Sequence, residues 1–535
     1  MPTFKLDGKP IPFEPGDTII KAAWRQGIEI PHYCWHPGLS SPANCRMCLV
    51  EIAPKPGTRP PMLDILELDA KTGEYRPVQK PKLQPSCYTP AAEGMEILSD
   101  SSAHVVRARR DVQEFLLLNH PVDCPICDQS GECKLQDYWL EHGKYQKRMR
   151  DEPVHKPKGV VFGPTIVYDA ERCVMCTRCV RFMAEVAKDP VLDMRERGNL
   201  NEIVVSPGRE LDGHYTFMTE HVCPVGALTT QDFRFKARVW FLRTAAAVCQ
   251  GCATGCNAHL DYDPRYNKAY RYRPRDNERV NKFWMCDEGM LTYKRAHEGR
   301  ELEAKVRGVK SSTAKALEEV KSLFTGVPKE GIGIVLSAEH SLEDNWALLE
   351  LARVLIETSN VYLTGQPEGY EDTILIHRDK NSNTKGIAQL APGAKPMQAL
   401  LDDATAGRVT HVLALGGAVP LEADATSGLP GLASAKVVTI ASHAGPLTAV
   451  AAVVLPATSW AEQSATYVNA KGMRQVSEKA LEPQGASKPG WRQVSDVASA
   501  LGYEAQWTKL RQIRAQLIGG AAIEASATPA TLPAE

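Results

Sequence analysis

Residues 120–138 read HPVDCPICDQSGECKLQDY, and this stretch decides what kind of protein the chain encodes. Three cysteines stand in C-x2-C and C-x5-C spacing, and a histidine lies four residues before the first of them. Thiols at such close spacing in a chain without an export signal favour metal ligation over disulfides. We therefore define a second ligand set as His120, Cys124, Cys127 and Cys133. A surface or core role is the ordinary alternative for a histidine, but without His120 this set is one ligand short.

Upstream of this stretch lies a first ligand set, a C-x10-C-x2-C pattern with a distant fourth cysteine. Its members are Cys34, Cys45, Cys48 and Cys87. Four thiolates hold either a [2Fe–2S] centre or a structural zinc ion, so this set by itself leaves both open.

Downstream, a third ligand set has the most specific spacing of all, C-x2-C-x2-C with a remote Cys-Pro. Its members are Cys173, Cys176, Cys179 and Cys223. Thiols at every third residue wrap one face of a cubane cluster, and the remote cysteine supplies the fourth corner. A zinc site does not need three thiols this close together. The run occurs once, so it predicts a single [4Fe–4S] centre.

A fourth ligand set combines C-x2-C-x3-C with a distant cysteine, and its members are Cys249, Cys252, Cys256 and Cys286. Between the last two lies a basic stretch with interleaved tyrosines, residues 262–282. Such a stretch is compatible with nucleic-acid binding. Acidic residues interrupt it, however, and both of its ends are fixed at a metal site. We interpret it as a positively charged collar around an anionic cluster.

The number of candidate ligands agrees with four centres. The 535-residue chain has 15 cysteines, and together with His120 they supply 16 ligands. No thiol remains for a nucleophile or another metal. Four redox clusters in one chain predict a one-electron wire with one [2Fe–2S] and three [4Fe–4S] centres. The sequence has neither G-x-G-x-x-G nor G-x-x-x-x-G-K-[ST], so we expect any nicotinamide or flavin to lie on another subunit.

Composition excludes several classes. With 43% hydrophobic and 24% charged residues the chain is not disordered overall. A formal net charge of −1 argues against a nucleic-acid coat or a polybasic membrane arm. The N-terminus lacks the basic and apolar regions of a signal peptide, and no run of 18 apolar residues occurs, so we expect neither export nor a membrane span.

Patterning predicts two kinds of fold along the chain. The start reads as a small β-rich domain with a hairpin turn at Asp7-Gly8, a short helix capped by Asp17 and closed by Gly27, and an exposed insertion at 54–62 and 71–85. A helix is predicted over 102–118. Strands at 333–337, 361–363, 412–415, 437–440 and 453–455, with an amphipathic helix at 342–357, predict a parallel α/β sheet. The tail 519–535 reads as disordered.

The stretch at 120–138, together with ERCVMCTRCVRF at 171–182 and HVCPVGAL at 221–228, resembles the large iron–sulfur subunits of bacterial NADH:quinone oxidoreductase, respiratory complex I. The resemblance implies a multidomain α+β then α/β fold. Its domains are a β-grasp, [2Fe–2S] ferredoxin-like domain at 1–98; a [4Fe–4S] domain with one histidine and three cysteine ligands at 99–143; a bacterial-ferredoxin-type [4Fe–4S] domain at 144–240; a molybdopterin-oxidoreductase-type [4Fe–4S] domain at 241–300; and a truncated α/β domain of that type at 301–518.

The same resemblance implies a route for electrons and a set of partners. Electrons would enter at the first set from the NADH- and FMN-binding subunit and pass the third set. They would leave through the second set to the next iron–sulfur subunit, towards quinone. The fourth set would lie off this path. We expect a peripheral location on the cytoplasmic face of a bacterial inner membrane, and contact with neither nucleic acid nor the membrane interior.

Residues 453–475, VVLPATSWAEQSATYVNAKGMRQ, resemble molybdopterin oxidoreductases. Two features depart from that family. No cysteine follows Cys286 to bind molybdenum, and Glu288 stands where those enzymes usually have a basic residue. We therefore expect a scaffold without molybdopterin and without a substrate site of its own. The alternatives are a formate-dehydrogenase-type catalytic chain and the electron-input subunit of an NAD-linked hydrogenase; four zinc sites in a nucleic-acid-binding protein rank third.

Overall fold

The computed structural model describes residues 1–146, 148–420, 429–505 and 507–518. The chain divides into two compact units, Met1–Trp240 and a second unit that begins at Phe241. The predicted disordered tail, 519–535, lies outside the described residues.

The first unit opens with a five-stranded mixed sheet in the order β2-β1-β7-β3-β6, packed against one helix. Its elements are β1 (Thr3–Leu6), β2 (Lys9–Pro12), α1 (Ile19–Arg25), β3 (Leu49–Ala53), β4 (Met62–Leu68), β5 (Tyr75–Pro81), β6 (Leu83–Pro85) and β7 (Glu96–Leu98). The predicted hairpin at Asp7-Gly8 is confirmed, and both residues have positive φ. The exposed insertion is also confirmed, although much of it is the ordered hairpin β4–β5.

The start of α1 differs from the prediction. Thr18, and not Asp17, occupies the N-cap position, with extended backbone and no side-chain cap. The Asp17 carboxylate instead accepts the Glu14 N–H at 3.0 Å and pairs with Arg25 at 2.7 Å. A charge partner from the far end of the helix therefore outcompetes the local cap. Gly27 closes the helix as predicted, with φ +70 and its N–H bonded to Trp24 O.

The elements in the rest of the first unit are α2 (Ala103–Leu117), α3 (Lys134–His142), β8 (Val160–Val161), β9 (Ile166–Tyr168), α4 (Arg178–Glu185), β10 (Leu192–Arg195), β11 (Glu202–Val205), α5 (Phe217–His221) and β12 (Leu228–Thr230). The loop between α2 and α3 carries the cysteines of the second set, whereas the third set is divided between the segment leading into α4, α4 itself and the loop after α5. The predicted helix over 102–118 is confirmed as α2, and the Ser102 side chain caps it by accepting the Val105 N–H.

The second unit contains a three-stranded antiparallel sheet followed by an eight-stranded sheet. Its strands are β13 (Arg243–Val248), β14 (Asn257–Asp263), β15 (Lys268–Pro274), β16 (Ala304–Val306), β17 (Val309–Ser311), β18 (Ile332–Ser337), β19 (Val361–Thr364), β20 (Lys395–Pro396), β21 (His411–Leu415), β22 (Lys436–Ala441), β23 (Val453–Pro456), β24 (Ala465–Val468) and β25 (Arg474–Ser477). Its helices are α6 (Asp287–Leu291), α7 (Thr313–Phe324), α8 (Leu342–Leu351), α9 (Thr384–Leu390), α10 (Met397–Thr405), α11 (Pro446–Val450), α12 (Gly490–Ala500) and α13 (Leu510–Ile518).

All five predicted strands of the α/β region are confirmed, and they pair in parallel as β19-β18-β21-β22-β23. At one edge β16 and β17 add antiparallel strands, so the sheet is mixed there. The predicted amphipathic helix is wrong in character: α8 is buried on nearly all sides because β18, α12 and α13 pack around it. It ends in a π-helical turn, Ala352–Ile356.

Candidate iron–sulfur sites

The third ligand set surrounds an internal cavity between β9, α4 and β12. All four thiols line it, and most of the remaining wall is formed by apolar or aromatic side chains, including Tyr168, Ile203 and Leu228. Cys176 and Cys179 are almost fully buried. An apolar cavity framed by four thiols suits a cubane cluster, because the wall would exclude water and each thiol could hold one corner of the cluster.

Unusual backbone geometry brings the thiols of the third set to this cavity. Met175 and Thr177, which flank Cys176, both have positive φ, a region that residues other than glycine rarely adopt. The Met175 N–H points at Cys173 Sγ at 3.4 Å. In the loop of the first set, Ala43 and Arg46, which lie two residues before and one residue after Cys45, also have positive φ. Such strain is typical of functional sites that the surrounding fold over-determines.

The thiols of the third set are difficult to ionise without a cation. Burial, followed by neighbouring thiols, raises the pKa of Cys173 and of Cys176 to about 11 and that of Cys223 to about 12. Metal ligands must be thiolates. A bound cluster would therefore supply the additional positive charge that keeps these thiols ionised.

The first ligand set gathers its four thiols beneath the N-terminal sheet. Cys34 lies within hydrogen-bonding reach of Cys45 and Cys87, and Cys87 of Cys48. Three of the four are fully buried, with Cys45 partly exposed. The hydrogen bond with Cys34, and then burial, raise the pKa of Cys45 well above its usual value. The chain thus brings together the close loop cysteines and the distant Cys87 as one group.

The second ligand set lies on the loop between α2 and α3, nearer the surface. Cys133 occupies the N-cap position of α3, Cys127 is half-buried and Cys124 is exposed. Burial, and then the Arg172 cation, lower the pKa of His120 to about 4. The imidazole is therefore neutral at pH 7 and keeps a lone pair for a metal. This state fits the ligand role predicted for it.

The fourth ligand set lies in the second unit, between β13, β14 and α6. All four thiols are buried. Backbone N–H groups approach their sulfurs: Gly251 N lies 3.4 Å from Cys249 Sγ, and Gly289 N lies 3.3 Å from Cys286 Sγ. Burial and the Cys252 thiol raise the pKa of Cys249 to about 12. N–H groups aimed at buried sulfur suit an anionic cluster, whose potential they tune.

Part of the positive charge in the basic stretch beside the fourth set is paired with neighbouring carboxylates, so the stretch surrounds the set with less unpaired positive charge than the sequence predicts. Arg271 and Arg273 both pair with Asp261, at 2.8 and 2.6 Å, and Arg265 pairs with Asp263 at 2.7 Å. Burial alone would raise the pKa of Asp261, but Arg273 and Arg271 hold that pKa well below its usual value. Three arginines of the stretch are therefore paired with the two carboxylates of the β14–β15 hairpin.

Direct hydrogen bonds join the first and third sets. The Arg181 Nη2 group donates to the carbonyl of Cys34 at 2.5 Å and to that of Cys176 at 3.3 Å. The Asn44 amide donates to Met175 O at 3.2 Å. A single guanidinium therefore bonds the backbone of one ligand from each set.

The second and third sets are joined as closely. The Lys134 N–H, which follows Cys133, donates to Pro224 O, which follows Cys223, at 3.0 Å. A β-carbon built on Gly226 would lie only 2.3 Å from Cys127 Sγ. Arg172, next to Cys173, also pairs at 2.9 Å with Asp123, which precedes Cys124.

A further connection runs from the first set to the second set without touching the third. The buried Tyr33, next to Cys34, donates its hydroxyl proton to Gln113 Oε1 at 2.5 Å. Gln113 in turn donates to Leu135 O at 3.0 Å, two residues beyond Cys133. Two hydrogen bonds thus link residues next to the first and second sets without involving a residue of the third.

The thiols of the first, third and fourth sets each lie close to one another, and in the second set Cys127 lies near Cys124 and Cys133. In the described part of the chain, no three His, Cys, Asp or Glu side chains converge as ligands of one metal ion do. Sequence reasoning missed Arg181 and Gly226. The only local signal was their place within the two ferredoxin-like cysteine motifs.

Comparisons with known proteins agree with this arrangement along the chain. A 2Fe-2S iron-sulfur cluster binding domain matches residues 1–102, and the NADH-ubiquinone oxidoreductase-G iron-sulfur binding region matches 109–148. The ferredoxin-like domain of NADH-quinone oxidoreductase subunit 3 matches 163–229, and a molybdopterin oxidoreductase family matches 370–500. The chain therefore contains the predicted kinds of domain: a 2Fe–2S domain, 4Fe–4S domains and a molybdopterin-oxidoreductase domain.

Curated relatives extend the likeness over nearly the whole chain. The G subunit of the NADH-quinone oxidoreductase of Streptomyces coelicolor is 29% identical over 99% of this chain, and that of Rickettsia felis is 27% identical over 96%. The chain is homologous to the G subunits of NADH-quinone oxidoreductases. Subunit 3 of the Thermus thermophilus enzyme is 33% identical over 66% of this chain. These homologues are components of an oxidoreductase complex.

Lengths differ among these relatives. The chain spans 62% of the Streptomyces coelicolor protein, 46% of the Thermus thermophilus protein and 89% of the Rickettsia felis protein. Among solved structures, an NAD+-reducing [NiFe]-hydrogenase in the H2-reduced state is 29% identical, with a TM-score of 0.36, and the match covers 44% of this chain and 91% of that one. None of the described helices is both long and apolar enough to span a bilayer.

Proposed function

We propose that this chain is an electron-transfer subunit of a proton-translocating NADH:quinone oxidoreductase, relaying single electrons from the NADH/FMN-binding subunit towards quinone. The observation that carries the proposal is the direct hydrogen bonding between neighbouring ligand sets in the first unit, through Arg181 and through Lys134. Structural metal sites have no need for such links. The homology to the G subunits of NADH-quinone oxidoreductases supports the same function.

The first set would hold one [2Fe–2S] cluster, and the other three sets would each hold one [4Fe–4S] cluster. Such clusters, when bound, accept and release single electrons. The protein's contribution is to supply thiolates and the His120 imidazole, to exclude water from the ligand cavities, and to aim backbone N–H groups at sulfur. Residues 370–500, although matched by the molybdopterin oxidoreductase family, would act as a scaffold.

Contacts support the order first, third, second for the main route. Arg181 joins the first set to the third, and Lys134 joins the third to the second. The exposed Cys124, flanked by exposed Val122 and Ile126, supports the second set as the exit to a partner subunit. The fourth set would lie off this route. The chain would be a peripheral part of a complex on the cytoplasmic face of a bacterial inner membrane.

Replacing one ligand of the third set tests both the cluster assignment and the route. In Cys176→Ser a neutral hydroxyl replaces a soft anionic ligand, so we expect loss or alteration of one [4Fe–4S] signal in EPR spectra of the purified complex. NADH-to-quinone turnover should fall at least about tenfold, as expected when a mandatory carrier is lost. NADH oxidation by a soluble acceptor at the flavin subunit should persist.

Cys286→Ser is the matched control, because it removes a ligand from the fourth set, which lies off the proposed route. It should alter a different EPR signal and leave quinone reduction near normal. An unchanged third-set signal in Cys176→Ser would contradict the ligand assignment. Loss of that signal with full quinone reduction would contradict the proposed route through the third set.

A further inference from the structure

We propose that Arg181 is a positioning residue for electron transfer between the first and third ligand sets, and that its guanidinium fixes their separation and raises the potentials of both clusters. The inference rests on the proposed function, because it takes these two sets to be iron–sulfur sites. Arg181 is not itself a ligand. It acts through the backbone of one ligand in each set.

All three nitrogen atoms of the Arg181 guanidinium donate hydrogen bonds. Its Nη2 group is shared between the carbonyl oxygens of Cys34 and Cys176, at 2.5 and 3.3 Å. The Nη1 group donates to Ser40 O, on the loop that carries Cys34, and Nε donates to Thr177 Oγ1 at 3.2 Å. Only the planar, five-donor fork of arginine satisfies these positions together.

The rest of α4 holds this fork in place. Arg178 donates to Trp35 O, and Glu185 accepts the Ser40 N–H at 2.9 Å. Residues 178, 181 and 185 lie three and four positions apart, so they share one face of the helix. That face is hydrogen-bonded to the Cys34 loop at several points. Because α4 begins within the third cysteine run, these hydrogen bonds fix the position of one ligand set relative to the other.

Charge gives Arg181 a second effect. The guanidinium keeps its proton, and it is half-buried, with Cys34 and Cys176 among the groups that act on it electrostatically. A fixed positive charge favours the reduced, more negative state of each neighbouring cluster, and partial burial strengthens the effect. The transfer it serves moves one electron: the first-set site is oxidised as the third-set site is reduced, and no proton or covalent bond changes.

Redox titration followed by EPR tests the inference in the full-length chain with its co-purifying subunits. In Arg181→Met we expect all four cluster signals to persist. The reduction equilibria of the first- and third-set clusters should shift towards the oxidised state by up to about tenfold, which is about 59 mV for a one-electron couple. The second- and fourth-set clusters should not move. Arg181→Lys keeps the charge, so it should return both potentials most of the way to their wild-type values. Quinone reduction should nevertheless remain several-fold slower than in the wild type, since an ammonium group cannot donate to two carbonyls in the way that the planar guanidinium does.

Arg195→Met is the matched control, because Arg195 is an exposed arginine of the same domain whose partner is Glu202 and not a ligand loop. It should leave all four potentials unchanged. If Arg181→Met does not accumulate, Arg181→Gln removes the same charge while keeping one donor. Unchanged first- and third-set potentials in these variants, or an equal shift in Arg195→Met, would overturn the inference. Absence of iron and EPR signals from the wild-type protein would instead overturn the proposed function.

Discussion

His120 differs from the other candidate ligands in charge. Its imidazole is neutral at pH 7, because burial and Arg172 lower its pKa to about 4, whereas a cysteine ligand is an anion. A neutral ligand makes a cluster less negative, which by itself raises its reduction potential. The Arg172 side chain that lowers this pKa also pairs with Asp123, beside Cys124. One cation thus acts on both the histidine and the loop that presents the thiols.

We predict that His120→Ala removes or remodels one reduced-state EPR signal and leaves the other three. His120→Cys should restore a cluster whose potential is lower, because a thiolate adds one negative charge. His155→Ala serves as the control, since His155 is an exposed histidine of the same unit that pairs with Glu171. Four unchanged signals in His120→Ala would leave the second set one ligand short and refute the count of 16.

At the scale of elements, the close approach of two loops matters most. The loop that follows α5 carries Cys223 and Gly226, and it packs directly on the loop between α2 and α3. Gly226 has no room for a side chain, because a β-carbon there would lie 2.3 Å from Cys127 Sγ and 3.0 Å from the Gln129 β-carbon. Sequence inspection reads this glycine only as part of the motif HVCPVGAL. Its packing role depends on a loop about 100 residues earlier in the chain.

We predict that Gly226→Ala displaces Cys127 and disturbs the second-set cluster. Overpacking of this kind costs about 1–3 kcal/mol in unfolding free energy. The second-set EPR signal should weaken or change, while the first- and fourth-set signals remain, and thermal unfolding should begin earlier. Gly213→Ala is the control, because its β-carbon would lie 3.6 Å from the nearest atom, Asp189 Oδ2, an ordinary contact. A normal second-set signal in Gly226→Ala would contradict the packing argument.

At the scale of the whole chain, the ligand sets divide unevenly between the two units. The first unit holds three sets and the contacts that connect them, whereas the second holds one set beside a large sheet whose parallel strands form most of its core. Outside the strands of that sheet, the buried ion pair of Arg300 with Glu462, at 2.6 Å, satisfies charges that would otherwise be costly to bury.

Elemental analysis tests the chain as a whole. One [2Fe–2S] and three [4Fe–4S] centres predict about 14 irons and as many acid-labile sulfides per anaerobically purified chain. We expect no stoichiometric molybdenum or tungsten, because all 15 thiols lie at or before Cys286 and are committed to the four sets. Near one molybdenum or tungsten per chain, with substrate-dependent reduction of the clusters, would instead favour a formate-dehydrogenase-type enzyme.

Short-range sequence patterns were enough to predict the closely spaced cysteine motifs and the strands of the parallel sheet. The spacing of Cys173, Cys176 and Cys179 is a property of seven consecutive residues, so the motif was readable without any fold. The strands of the parallel sheet were readable for a related reason, since strands buried on both faces form continuous apolar runs. The helix cap at Asp17 was predicted wrongly because Arg25, eight residues further along the chain, pairs with that carboxylate. The character of α8 was predicted wrongly because elements distant in the sequence pack around it.

Only the tertiary structure decided which ligand sets are neighbours. Arg181 and Cys34 are 147 positions apart, and Tyr33 and Gln113 are 80 apart, yet both pairs are hydrogen-bonded. Cysteine spacing describes each set separately and carries no information about the distance between sets. That distance depends on how α4 packs against the Cys34 loop and how Gly226 admits Cys127. These are long-range contacts, which side-chain packing establishes once the separate loops have formed.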